Sequence, residues 1–260
     1  MSEVFFSEVR RYRRGSLVLV GVFALLSAMY FSMFPEFADE AEEVAELFPE
    51  AIFDMFGITA LHTIEGFIAA EIYAFFWVVL LGIYFAYTAA GSIAGDIETR
   101  KLDLTLTNPI SRESVMAQKI AALIVPLAIL NLTVPVIVYV GGVLIDEPIN
   151  PVAIVMVHLL SVPYLLACAG VGMVLSVMFD RKRTPQAIAL GLVFVLWLVE
   201  AASNMDDDLE WVGYFTPARY YDPTAILVDE EYAMFDAGVA LLMFAVLVLV
   251  AVALFLRRDI

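Results

Sequence analysis

The sequence predicts an all-α membrane protein of six transmembrane helices with both termini in the cytoplasm. Three observations predict it. Hydrophobic residues make up 62 % of the 260 and the mean hydropathy is +0.89, whereas a soluble domain is about half apolar. The chain holds six apolar runs near the bilayer-crossing length of about 17–25 residues. With six crossings, all but one of the 14 Lys and Arg fall on the side that carries both termini, and basic residues mark cytoplasmic loops.

The elements follow in order. Residues 1–14, MSEVFFSEVRRYRR, put Phe5, Val9 and Tyr12 on one helical stripe and arginines elsewhere. That pattern reads as an amphipathic helix lying at a membrane surface. The spans are expected at about 15–34, 67–90, 120–144, 153–178, 187–203 and 235–256. These runs are too long for barrel strands of about 10 alternating residues. The first lacks a small-x-small cleavage site and reads as a retained anchor. Between the first two spans, residues 35–66 are acidic and amphipathic, with Val44, Leu47 and Phe48 on one face, which predicts a surface helix. Residues 204–234 carry Trp211, Tyr214, Phe215, Tyr220 and Tyr221, and aromatics gather at the lipid–water boundary. Pro126, Pro135 and Pro163 lie inside spans, where kinks are expected. No tandem repeat or separate soluble domain is evident, so 1–260 reads as one membrane domain.

Charge divides unevenly. Arg219 is the lone basic residue expected outside, while Glu3, Glu8, Asp96, Glu98, Asp103, Glu113, Asp180 and Asp259 are the acidic residues expected inside. The remainder of the 30 Asp and Glu crowd the outer side. Molar salt, with a Debye length of about 3 Å, screens such a face, and halophiles tolerate high net charge in this way. A salt-loving prokaryote is one reading; attraction of a cationic substrate is the other.

Several chemistries are excluded. The chain has no G-x-x-x-x-G-K-[ST] phosphate loop, no G-x-S-x-G elbow and no H-E-x-x-H motif. Its single cysteine, Cys168, rules out a disulfide framework. Its methionines form no Met-x-x-Met path and read as apolar filler. No cofactor, metal or nucleic acid is expected on this chain. Glu71, Asn131, His158 and Glu200 fall within spans and form a candidate polar path, since ionisable groups there are functional candidates. The competing reading of His158 is a hydrogen-bonded helix contact, and both glutamates lie near outer ends, where a carboxylate reaches water.

The segment IAGDIETRKLDLTLTNPISRESVMAQK, residues 93–119, interrupts the apolar pattern. Ile93 and Ile97 continue the second span as a helix, Leu102, Leu104 and Leu106 alternate, Asn108-Pro109 breaks the run, and Ser111 suits an N-cap for the third span. Lys119 is placed to snorkel to the interface. The expected product is a helical knuckle with exposed leucines and carboxylates, which asks for a covering partner.

This segment resembles the signature of ABC-2 type permeases, the membrane subunits of ATP-binding-cassette exporters related to ABCG-type transporters. The family pattern is close to I-A-x-E-x-E-x-G-T-L-x-x-L-L-x-x-P-x-S-R, followed by a Lys. Glu98, Leu102, Leu106, Pro109, Ser111, Arg112 and Lys119 fall on matching positions, with Asp96 in place of the first Glu; Gly95 and Leu104 lie in the same stretch. The family's Gly-Thr is replaced by Arg100-Lys101, a departure that bears on the local turn. A second segment, GYFTPARYYDPTAIL at 213–227, resembles the family's S/T-P-x-R-Y-x-x-P.

The resemblance implies a type V exporter membrane domain and a non-enzymatic permease. It also implies two partners: a second, identical membrane subunit in the cell membrane, and a separate ATP-binding subunit that carries ATP and Mg. The knuckle is then the coupling helix seated on that ATPase. Within the family it leans toward a haloarchaeal, nitrous-oxide-reductase-maturation-like permease. The rival readings are a secondary carrier or channel, which needs charged groups or broken helices at a midplane site, and an intramembrane protease, for which no Ser/His pairing is visible.

Overall fold

A computed structural model describes residues 3–47, 49–107, 110–205 and 207–258. Among them the secondary structure is entirely helical, and six helices are long and apolar enough to cross a membrane. The expected face of Val44 and Phe48 lies outside the described side chains, as do Asn108, Pro109 and the side chain of Leu106.

The first helix, α1, runs unbroken over Glu3–Glu46 and carries Pro35 inside it. At 1.5 Å per residue it is about 66 Å long, roughly twice the bilayer's apolar thickness. The sequence expectation of a separate surface helix ending at 14 and an exit at 35 is therefore replaced by one rod. Its buried stripe includes Val4, Glu8, Tyr12, Ser16, Phe23 and Phe31, and the rod packs along α7. The stripe read as lipid-facing serves helix packing instead. A short α2 (Glu50–Phe56) follows.

The second crossing is composite. It begins as α3 (Ile64–Ile68), capped by Thr63, whose hydroxyl accepts from the Gly66 amide at 3.1 Å. It continues as a π-helical segment, Ala69–Leu81, and returns to α-helix in α4 (Gly82–Ala90). α5 (Ser92–Glu98) and α6 (Lys101–Leu106) form the knuckle. The remaining crossings are α7 (Arg112–Leu144), α8 (Pro151–Met178), α9 (Arg183–Ser203) and α12 (Met234–Arg257). Between the last two lie α10 (Glu210–Gly213), a 3-10 turn at Pro217–Tyr220 and α11 (Pro223–Leu227). Helical assignment continues through Pro126, Pro135 and Pro163.

α8 is the central helix, packed against α12, α4 and α9. Small residues make this possible. A Cβ on Gly172 would lie 2.0 Å from the Ala86 carbonyl oxygen, so the α8 and α4 backbones touch where only glycine fits, as small residues permit in membrane bundles. Aromatic rings fill the space beside it: Trp77 meets Phe23 at 5.1 Å and His158 at 4.7 Å.

Candidate functional site

One end of the bundle gathers both chain ends, the knuckle and the turn between α8 and α9. Ser111 caps α7 as its residue type predicts, accepting from the Ser114 amide at 3.2 Å. The amino end of α5 has no cap from its own chain neighbours. Ser176 of α8 supplies one: its hydroxyl oxygen accepts from the Ile93 and Ala94 amides at 2.8 and 3.1 Å. Two buried donors are thereby satisfied, each of which would otherwise cost about 1–3 kcal/mol.

Lys119 is turned inward. Its side chain is fully buried, and its ammonium donates to Glu8 Oε1 at 2.9 Å and to the Ser92 carbonyl at 3.0 Å, and pairs with Asp96 Oδ2 at 2.7 Å. The expectation of snorkelling is corrected here. Two buried carboxylates and a carbonyl complete the ammonium's three donors, so it gains nothing by reaching for water. The cluster joins α1, α5 and α7. At its margin Lys101 stands 3.9 Å from Asp96 and donates to Ser7 at 3.1 Å, and Arg11 stands 3.6 Å from Glu8.

The other signature residues are caps and struts. Glu98 accepts from the Lys182 amide at 3.0 Å and fastens the knuckle to the start of α9. Arg112 donates to the Phe255 and Arg258 carbonyls at 3.0 and 2.6 Å, which satisfies the end of α12 and places a cation at its negative pole. Arg258 in turn donates to the Val177 carbonyl and pairs with Asp180. Gly95 lies against the Lys182 side chain. Of the leucines, Leu102 is fully buried, which corrects the expectation that it is exposed, while Leu104 keeps 71 % of its surface open. Pro109 lies outside the described residues.

Between α5 and α6, Arg100 has φ 56° and ψ 17°, a left-handed conformation. It stands where the resembled pattern has Gly. The turn that glycine would make without strain is made here by an arginine, at a steric cost of about 1–2 kcal/mol.

The four candidate path residues separate. Tyr73, His158, Ser161 and Asn131 form a seam across the interior. His158 Nδ1 faces the Ile154 carbonyl at 2.8 Å and so carries the proton, leaving Nε2 to accept from the Tyr73 hydroxyl at 3.4 Å. Ser161 donates to the His158 carbonyl at 2.7 Å and lies 3.2 Å from Asn131 Oδ1. Glu71 stands beside Tyr30 of α1. Glu200 lies at the end of α9 remote from the knuckle, where it accepts from the Thr216 hydroxyl at 2.7 Å and faces Arg219 at 3.6 Å.

That far end explains the second signature segment. Thr216 and Asp222 each cap a short helical turn whose next residue is Pro217 or Pro223, the favoured cap-then-proline order. Arg219 is held by Glu200 and by Glu210 at 2.6 Å. Tyr221 donates to the Val157 carbonyl at 2.9 Å and locks the segment onto α8. Burial, reinforced by the charge of Asp236, pushes the Tyr220 hydroxyl above its ordinary range.

Sequence reasoning missed the roles of Glu8, Ser176 and Tyr73. A carboxylate within a basic amino-terminal stretch was the one available signal for Glu8; Ser176 and Tyr73 have none, since their partners are distant in sequence.

A bundle of six bilayer-length helices, with one end drawn together around a braced knuckle, defines a multi-pass membrane protein. The model of the ABC-2 family transporter proteins matches residues 6–260, and the chain belongs to that family. Such permeases are membrane components that work with an ATP-binding subunit rather than enzymes in themselves. None of the curated proteins compared with the chain matches it.

Proposed function

We propose that this chain is the permease half of an ATP-driven exporter and that α5–α6 is its coupling element. The observation that carries the reading is the mounting of the knuckle. It is tied to α7 and α1 through Lys119, to α8 through Ser176 and to α9 through Glu98, while α6 presents Leu104 and Asp103 outward. A push on α6 is thereby passed to four crossings at once. ATP and Mg sit on a separate subunit, two copies of this chain pair in the cell membrane, and closure of the ATPase pair moves the two knuckles.

The positive-inside rule places the knuckle end in the cytoplasm. The acidic opposite end then faces outward and favours a high-salt prokaryotic host; the haloarchaeal lean, with its role in maturing a copper enzyme, stays an extension of the resemblance.

The test is Leu104→Ala combined with Asp103→Lys in the assembled complex. Loss of about 1–3 kcal/mol of apolar burial, with a reversed charge, weakens ATPase association about tenfold or more and lowers transport in proportion. Yield and melting temperature of the membrane subunit stay unchanged. Full association and full transport in this variant would sink the proposal. Glu98 is not the residue to change, because it also holds α9.

A further inference from the structure

At the acidic end, a cleft of about 660 Å³ opens between the π-helical segment, the end of α9 and the segment joining α9 to α12. Its size suits a drug-sized molecule, for which sites span about 300–1,000 Å³. Its walls are of two kinds. One is aromatic: Trp197 stacks on Phe56 at 5.7 Å and meets Phe75 edge-on at 6.2 Å, with Tyr220 on the same cleft. The other is acidic: Glu200, Asp222, Glu231 and Asp236 line it, against one cation, Arg219.

The engagement of these charges decides the sign of the site. Arg219 is held between Glu200 and Glu210 and stacks over Tyr214 at 5.2 Å, so it is not available to an anion. Asp222 is occupied in capping α11 through the Thr224 and Ala225 amides at 2.9 and 3.0 Å. Glu231 and Asp236 form no ion pair among the described residues. The cleft is therefore lined by two carboxylates that form no ion pair among the described residues, together with an aromatic wall. A positive charge on an apolar body is the one chemistry that satisfies both walls, through Coulomb attraction and through the ring faces.

We propose that this cleft binds an organic cation with an aromatic or aliphatic body. That such cations are what the permease exports rests on the function proposed above; their binding to the cleft does not.

The test uses the purified full-length protein in lipid nanodiscs, without any ATPase, and two ions of nearly equal size and shape but opposite charge, tetraphenylphosphonium and tetraphenylborate. Calorimetry at one fixed salt concentration is expected to show saturable phosphonium binding and at least tenfold weaker borate binding. Asp236→Asn with Glu231→Gln is expected to weaken phosphonium binding tenfold or more, and Trp197→Ala to weaken it several-fold. Asp229→Asn, outside the cleft, leaves it unchanged. Absence of saturable phosphonium binding, equal binding of the two ions, or a double variant that binds as the unmodified protein does would each overturn the proposal. The comparison of the two ions needs no variant, so a variant that fails to fold leaves the test intact. Phosphonium binding that survives in a Leu104→Ala, Asp103→Lys protein with unimpaired ATPase association would uphold the cleft and sink the coupling reading.

Discussion

Lys119 shows why a residue's type and position in a span do not fix its direction. A lysine at the margin of an apolar run ordinarily sends its charge to water, but here Glu8 and Asp96 meet it inside. Replacing only the lysine leaves two carboxylates buried together, and breaking a buried pair from one side costs about 3–5 kcal/mol. Lys119→Met is thus expected to lower the melting temperature sharply. Adding Glu8→Gln and Asp96→Asn to it should recover much of the loss, because no uncompensated charge remains. Thermal unfolding of the three-fold and single variants checks this; equal destabilisation of both contradicts it. Arg100 carries the reverse case, a residue held in a conformation that suits glycine. Arg100→Gly relieves up to about 1–2 kcal/mol of strain, less the greater freedom glycine has when unfolded. A small rise or no change in melting temperature is expected, whereas Arg100→Val should lower it.

Among elements, what the sequence made legible followed from length and apolarity. Six helices long and apolar enough to cross a membrane fall on the hydrophobic runs, the first extending past its expected ends, since bilayer thickness sets a length that local composition must meet. The cap at Ser111 was legible for a similar reason, being a contact three residues long. The π-helical stretch was not, because its shifted hydrogen-bond register has no residue signature and is held by packing, with Tyr73 and Trp77 turned onto His158. Nor was the continuity of α1: its basic start resembled a surface helix and the acidic run from 35 a second one, but the chain forms one rod that packs along α7. The knuckle's leucines showed the same limit, because alternation could not say that Leu102 turns in and Leu104 out. The α4–α8 contact gives a direct element-scale prediction. Gly172→Val must push the two backbones apart, since even a Cβ would overlap the Ala86 carbonyl. Overpacking of this kind costs about 1–3 kcal/mol or more, and the expected result is a lower melting temperature and lower yield. Gly191→Ala, where nothing lies within 4 Å of the added carbon, is the matched control.

For the whole molecule, orientation and coupling are the two claims on which function depends. The single native cysteine, Cys168, is buried, so introduced cysteines report cleanly. With the basic end inside, cysteine at Asp39 or Asp229 is expected to react with an impermeant maleimide on intact cells, and cysteine at Thr107 only after the cells are opened. Labelling of Thr107 on intact cells would reverse the topology.

Coupling is tested most directly by a photo-reactive amino acid placed at Leu104 of α6, activated in native membranes, with captured proteins then examined for labelling by azido-ATP. The account expects a covalent adduct between this chain and a nucleotide-binding protein, formed from position 104 and not from the control position Leu209 at the acidic end. An adduct that carries no nucleotide label, or a nucleotide-binding partner captured from Leu209 instead, would contradict the claim that the knuckle is where this permease meets its ATPase.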